Sequence, residues 1–360
     1  SSLVRGSHLL YTRATTSTDS FNSLWVLPLD EGENSAEPRN LGLTNILWAD
    51  WNPQRANALQ IAFTTANAID LPPGWEANND LWLGEIFTSD EQPFEPKQIV
   101  DSYPATYGWW GGNYAWSPTG LQIAYSYADE VGLIDVLDPE DSSDTDENDF
   151  QLRFTRHRFS EYDTRAEWVW VPTLTWSPDG RFLAFTRHRG QDVTTLEFDT
   201  WILDTISNAD GRLSNDVGIW SYPRWSPNNS TNTPIAFLRA VNSFDSLQSN
   251  YTLWLMDSDG SNQQQIYPPI GETSYFPKLD RFMAWDSNGR AFVFVYDDNL
   301  FLYNLENNAV FQLTQDDTII SHPTWAPYGA GASDLTDPTN PALAPLPTPT
   351  PDRGGNLPDS

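Results

Sequence analysis

Short runs of alternating apolar and polar residues recur along the chain: LQIAFTT (59–65), LQIAYSY (121–127), RFLAFTR (181–187), PIAFLRA (234–240) and AFVFVYD (291–297). Period-two alternation marks a half-buried β-strand. Ahead of each run stands a tryptophan and a turn: DWNPQ at Trp51, AWSPTG at Trp116, TWSPDG at Trp176, RWSPNN at Trp225 and AWDSNG at Trp285, with TWAPYG at Trp325 as a sixth copy. A third strand follows in most units, as SLWVLPLD at Trp25, DLWLGEI at Trp82, DTWILDT at Trp201, TLWLMDSDG at Trp254 and NLFLYNLE at Phe301. A short fourth strand, such as RNLGLT or VFQLTQ, closes the unit.

The six motif tryptophans stand 65, 60, 49, 60 and 40 residues apart. Four strands per repeat at such spacing predict propeller blades. Residues 9–44 read as second, third and fourth strands with no motif ahead, while SHPTWAPYG near the end is a first strand with nothing after it. Joined, they complete one blade. The expected fold is therefore an all-β, six-bladed β-propeller over 9–330, closed by strands from both ends of the chain so that no sheet edge stays open. The motif tryptophans are assigned to the core as wedges between neighbouring sheets, with Ser177-Pro178-Asp179-Gly180 as the model turn.

The stretches WSPDGRFLAF and LWLMDSDGSNQQQIY resemble the repeats of TolB-type six-bladed propellers, over about residues 9–330. The resemblance implies the fold. It leaves function open, because such propellers include periplasmic partner-binding proteins, peptidase-linked domains and polysaccharide lyases.

The two ends of the chain read differently. Residues 1–8, SSLVRGSH, look like the remnant of a tag with a thrombin-type site and are set aside, His8 included. Residues 331–360 hold a proline-rich stretch without aromatics or periodicity, expected to be a disordered linker or tail that leads to a further C-terminal domain.

In a four-stranded blade, the first and third turns share one end of the sheet. The loop between strands two and three and the segment leading to the next blade share the other. The first end carries minimal turns, SPDG and SDGS. The second carries long loops, among them HRGQDVTTLEFD and RAVNSFDSLQSN, and binding is assigned there. Aromatics or a histidine stand before nearly every motif: Trp48, Trp109 and Trp110, Trp168 and Trp170, Trp220 and Tyr222, Tyr275 and Phe276, then His322. Around a channel mouth they would stack on sugars or grip a peptide; the alternative is packing between blades.

Charge adds a second candidate. The chain has 49 acidic and 19 basic residues, a formal net charge of -30, which excludes non-specific attraction to nucleic acid. Yet Arg153, Arg156, Arg158, Arg165, Arg181, Arg187 and Arg189 crowd one stretch together with His157 and His188. The strand ends carrying Arg156, Arg158, Arg187, His188 and Arg189 are expected at the long-loop end, where guanidinium groups would hold an anionic ligand. The alternative is that they neutralise nearby carboxylates. Arg13 and Arg239 share the strand position of Arg187, which favours the structural reading for that residue.

Chemistry finds little support. There is no cysteine and no nucleophile elbow, zincin motif or phosphate loop. The lyases that the resemblance brings in use several histidines around a metal; here His157 and His188 sit among arginines, which disfavours a metal. No cofactor is expected. Calcium is considered only at the acid run Asp138–Asp149 and at Asp257, which lack the loop pattern calcium requires and read as a solvated loop and a hairpin turn.

No apolar run is long enough to span a membrane. The expectation is a secreted, periplasmic or cell-surface binding module for a protein or carbohydrate partner, with two rivals: a lyase or hydrolase acting on acidic glycans, and a self-assembling surface protein.

Overall fold

The computed structural model describes residues 8–14, 22–28, 39–53, 59–70, 74–78, 80–86, 94–100, 111–127, 130–136, 154–158, 170–189, 196–228, 233–278, 280–286, 288–315 and 323. Among them it is all-β, with no helix. The chain divides into two compact units, residues 1–274 and 275–360.

The first unit holds five consecutive sheets. Strands β1 (His8–Ala14), β2 (Asn22–Pro28) and β3 (Arg39–Asn40) form a three-stranded sheet. Next come β4 (Ile46–Trp51), β5 (Leu59–Ala68), β6 (Trp75–Ala77), β7 (Leu81–Ile86) and β8 (Lys97–Val100), ordered β4-β5-β7-β8 with β6 extending the far end of β5. The third sheet is β9 (Asn113–Trp116), β10 (Gln122–Ser126), β11 (Glu130–Asp135) and β12 (Phe154–Arg158). The fourth is β13 (Leu174–Trp176), β14 (Phe182–His188), β15 (Phe198–Asp204) and β16 (Asp210–Ser214). The fifth is β17 (Arg224–Trp225), β18 (Ile235–Ala240), β19 (Tyr251–Met256) and β20 (Gln264–Tyr267). The second unit has β21 (Met283–Trp285), β22 (Ala291–Tyr296), β23 (Asn299–Asn304) and β24 (Ala309–Gln312). Four of these sheets are simple four-stranded antiparallel meanders, the blade arrangement of a propeller.

The turn residues explain the first hairpin of each meander. At 177–180 the Gly180 amide donates to the Ser177 carbonyl at 2.9 Å, with Gly180 at φ +72 where a side chain would be strained. Ser177 Oγ accepts from the Phe182 amide at 2.8 Å. Asp286 takes that role in the second unit, accepting from the Arg290 and Ala291 amides at 2.7 and 3.0 Å.

Successive sheets of the first unit pack face to face over apolar seams. Leu24, Val26 and Leu41 meet Ile46, Ile61 and Phe63; Ala62, Leu81 and Val100 meet Tyr114, Trp116 and Ile123; Ala124 and Leu133 meet Trp176 and Phe185; Ala184 and Leu213 meet Trp225 and Phe237. In two seams the motif tryptophan also bonds across. Trp116 Nε1 donates to the Asp50 carbonyl at 3.3 Å and Trp176 Nε1 to the Ala115 carbonyl at 3.1 Å.

Within the sheets, second-strand aromatics register opposite third-strand ones: Phe63 with Trp82, Phe185 with Trp201, Phe237 with Trp254 and Phe294 with Phe301. The third sheet departs from this. Gly132 stands opposite Tyr125, whose ring occupies the space, since a Cβ on Gly132 would lie 2.3 Å from it. The Tyr125 hydroxyl donates to buried Glu130 at 3.1 Å.

Candidate functional site

The long-loop ends of the fourth and fifth sheets hold most of the described candidate residues. Arg187 and His188 end β14 and Arg189 follows it, and strand alternation sends them to different neighbours. Arg187 lies over the Trp201 ring at 4.4 Å and pairs with Asp210 at 3.6 Å. His188 turns inward, buried, edge-on to Phe198 at 5.1 Å. Arg189 grips the buried Asp199 carboxylate in a two-pronged contact and reaches Asp216 Oδ1 at 2.7 Å. The Asp199 hydrogen bond raises the Arg189 pKa still further above its ordinary value. Asp199 also accepts from the Asp216 amide at 3.0 Å, so this network fixes the turn after β16. Arg239 repeats the Arg187 arrangement, 4.7 Å over Trp254. Arg187 and Arg189 therefore do not converge on one point.

The aromatic candidates are half inside. Trp170 and Trp220 are half-buried and meet edge to face at 5.9 Å, while Tyr222 is buried and lies 6.0 Å from Trp220. Both indole N–H groups are buried without a hydrogen-bond partner. Trp109, Trp110, Trp168 and His322 lie outside the described residues, as do the acid run 138–149 and the tail 331–360. Arg156 and Arg158 are placed only as backbone, in β12 beside β11.

The loop between β18 and β19, residues 241–250, is tied down more firmly than its sequence foretells. Ser246 Oγ accepts from the Ile219 amide at 3.2 Å and donates to the Leu196 carbonyl at 2.6 Å, so it joins the loops of two sheets. Tyr251 Oη donates to the Ser246 carbonyl at 2.8 Å and accepts from the Trp220 amide at 3.2 Å. Burial pushes the Tyr251 pKa up to about 12. Leu196 and Asp245 form a parallel bridge between the same two loops.

Exposed apolar side chains stand at this end of the fifth sheet. Val241 and Phe244 are 69% and 77% exposed, and Ile270, in the turn after β20 at the same end of the sheet, is 88% exposed. Val241 and Phe244 lie in the loop RAVNSFDSLQSN, where binding is expected, but no motif singles out any of the three. The available signal was Phe244, a large aromatic in a polar loop outside any alternating run. Among the described residues the minimal-turn ends have single exposed large apolar residues, Leu121 and Ile206, one each in the third and fourth sheets. Among the described residues no group of three or more His, Cys, Asp or Glu is placed to hold a metal. No described helix is long and apolar enough to cross a membrane.

No family model matches the sequence, and no curated protein matches it. Solved structures do. A puromycin-hydrolysing peptidase of Mycobacterium tuberculosis aligns over 88% of this chain at 12% identity with a TM-score of 0.55. This chain spans about half of that protein, 47% of its length. An oligogalacturonate lyase in complex with manganese aligns over 86% of this chain and 74% of its own, at 14% identity and a TM-score of 0.44. TolB from Acinetobacter baumannii aligns over 89% and 83%, at 16% identity and a TM-score of 0.32. At 12% identity the likeness to the peptidase concerns fold alone, and the four-stranded meanders of this chain are of the propeller type.

Proposed function

We propose that this chain is a six-bladed, TolB-like propeller acting outside the cytoplasm as a protein-binding module, with the partner held at the long-loop ends of the sheets. The observation that carries the reading is the exposure of Val241 and Phe244 on a loop held by the Ser246 and Tyr251 hydrogen bonds, with Ile270 exposed at the same end of the fifth sheet. Exposed apolar residues on a rigid base suit a protein interface, because association then orders little that was mobile. Trp220 backs that base through its amide, which bonds Tyr251 Oη, and its ring packs against Trp170 and Tyr222. The six-blade reading rests on the six motif copies in the sequence and is supported by a first sheet of three strands, one short of a blade.

The test is capture of partners by the immobilised chain from an extract of its source, comparing the wild type with Val241→Ser/Phe244→Ser/Ile270→Ser. Specific capture lost in the triple variant supports the reading. Equal capture by both, or turnover of an acidic glycan by the wild type with no protein retained, overturns it.

A further inference from the structure

The seam between the fourth and fifth sheets is built differently from the two before it. In those, the motif tryptophan donates its indole N–H to the first strand of the preceding sheet. Trp225 does not: its Nε1 is buried without a partner, and its backbone amide bonds Thr175 Oγ1 at 3.1 Å instead. Its ring lies nearly parallel to Phe182, centroids 6.5 Å apart. Phe182 occupies the position held by Gln60 and Gln122 in the preceding sheets, where those amides are engaged by Asn52 and Asp135.

At this seam a cleft of about 750 Å³ opens at the minimal-turn end, the opposite end of the sheets from Phe244. Phe182, Ile202, Leu213 and Trp225 line it, and two turn carboxylates, Asp179 and Asp259, stand at its edge with Arg212. Asp179 Oδ1 accepts from Ser177 Oγ and the Arg181 amide, and Asp259 Oδ1 accepts from the Ser261 amide. Those bonds use one oxygen of each carboxylate. Arg212 leans toward Asp199, 3.5 Å away.

We propose that this cleft binds an organic cation carried on an aromatic or aliphatic body, of dipeptide size. Its volume is that of a small-ligand site, in which a mainly apolar wall gives affinity and a few polar groups give orientation. The aromatic wall receives the flat body. The carboxylates, two against one guanidinium in a chain of net charge -30, select a positive group over a negative one. Gly211 contributes an open wall: a Cβ there would meet only Ile202 Cγ2, at 3.8 Å.

The experiment titrates the full chain by calorimetry with Phe-Arg-amide, with neutral Phe-Gln-amide, and with phenethylamine. It is repeated on Gly211→Leu, which fills the cleft, and on Asp179→Asn/Asp259→Asn, which keeps both Oδ1 acceptors and removes the charge. The expected result is saturable binding of a cationic probe, at least tenfold weaker for the neutral dipeptide and for the Asn pair, and lost in Gly211→Leu at unchanged thermal stability. Binding of phenethylamine as tight as the dipeptide assigns the site to small amines, and binding of the dipeptide alone assigns it to peptide segments. No saturable binding of either cation, or affinity unchanged in either variant, overturns the proposal. Neither variant touches the Phe244 loop, so its failure and that of the protein-binding reading are distinguishable.

Discussion

Replacing Tyr251 by Phe tests whether the long-loop platform is held as the geometry indicates. The side chain is 1% exposed, and its hydroxyl serves two backbone groups, the Ser246 carbonyl at 2.8 Å and the Trp220 amide at 3.2 Å. Tyr251→Phe keeps the ring and strands both. A buried polar group deprived of its partner costs about 1–3 kcal/mol. The carbonyl bond is short and the amide bond long, so the sum is put at about 3 kcal/mol by the same rule. At about 2–4 °C per kcal/mol for a large domain, the melting temperature should fall by about 6–12 °C.

A pH signature accompanies the loss. Burial raises the folded pKa to about 12 from an ordinary value of 10.0. The hydroxyl's contribution is therefore whole below pH 10 and is lost as pH rises toward 12. Urea denaturation of both proteins at steps from pH 7 to 11.5 should show the gap between them narrowing above pH 10. A gap under about 0.5 kcal/mol at neutral pH, where one lost hydrogen bond alone predicts more, or a gap that does not change with pH, would refute the reasoning.

Three further outcomes are expected. Gly218→Ala sets a side chain at φ +89, with its Cβ 2.6 Å from Tyr251 Oη and 2.7 Å from Ala240 Cβ, and strain plus overpacking should cost about 3 kcal/mol in denaturant unfolding. Arg189→Met leaves the Asp199 carboxylate, 3% exposed, with the Asp216 amide and, as its one remaining cation, Arg212 at 3.5 Å; a loss of about 2–3 kcal/mol is expected in the same assay, largely recovered when Asp199→Asn is added. Hydrogen bonds from Arg181 and from the Ile206 amide hold the Asp204 pKa well below the ordinary 3.8, so its contribution is present above that value and lost as pH falls through the lower one. Asp204→Asn should lower stability slightly at neutral pH and flatten the acid limb of the profile below pH 4, the two proteins converging at the acid end.

The strands were legible because two periodicities coincide, the alternation inside each run and the recurrence of Trp plus turn. Each rests on local contacts, Ser177 with Phe182 or Phe63 with Trp82. The site was legible only as a location. Alternation along β14 already separates Arg187 from His188, but the partners that fix Arg189 lie farther along the chain: Asp199 ten residues on in the next strand and Asp216 27 residues on in another loop. Nor does the sequence mark Ser246 as the pin between two loops, since its partners Leu196 and Ile219 are each at least 27 positions away. The cleft depends on the orientation of one indole, for which Phe182 in place of glutamine was the sole local sign.

Site-specific photo-crosslinking tests the central claim most directly. A benzophenone side chain is placed at Phe244, on the long-loop end, and separately at Ile206, in the minimal turn of the neighbouring sheet, and both proteins are irradiated in an extract of the source. The account predicts one discrete crosslinked protein from position 244 and none from 206. Crosslinks from 206 alone, or the same products from both positions, would contradict it.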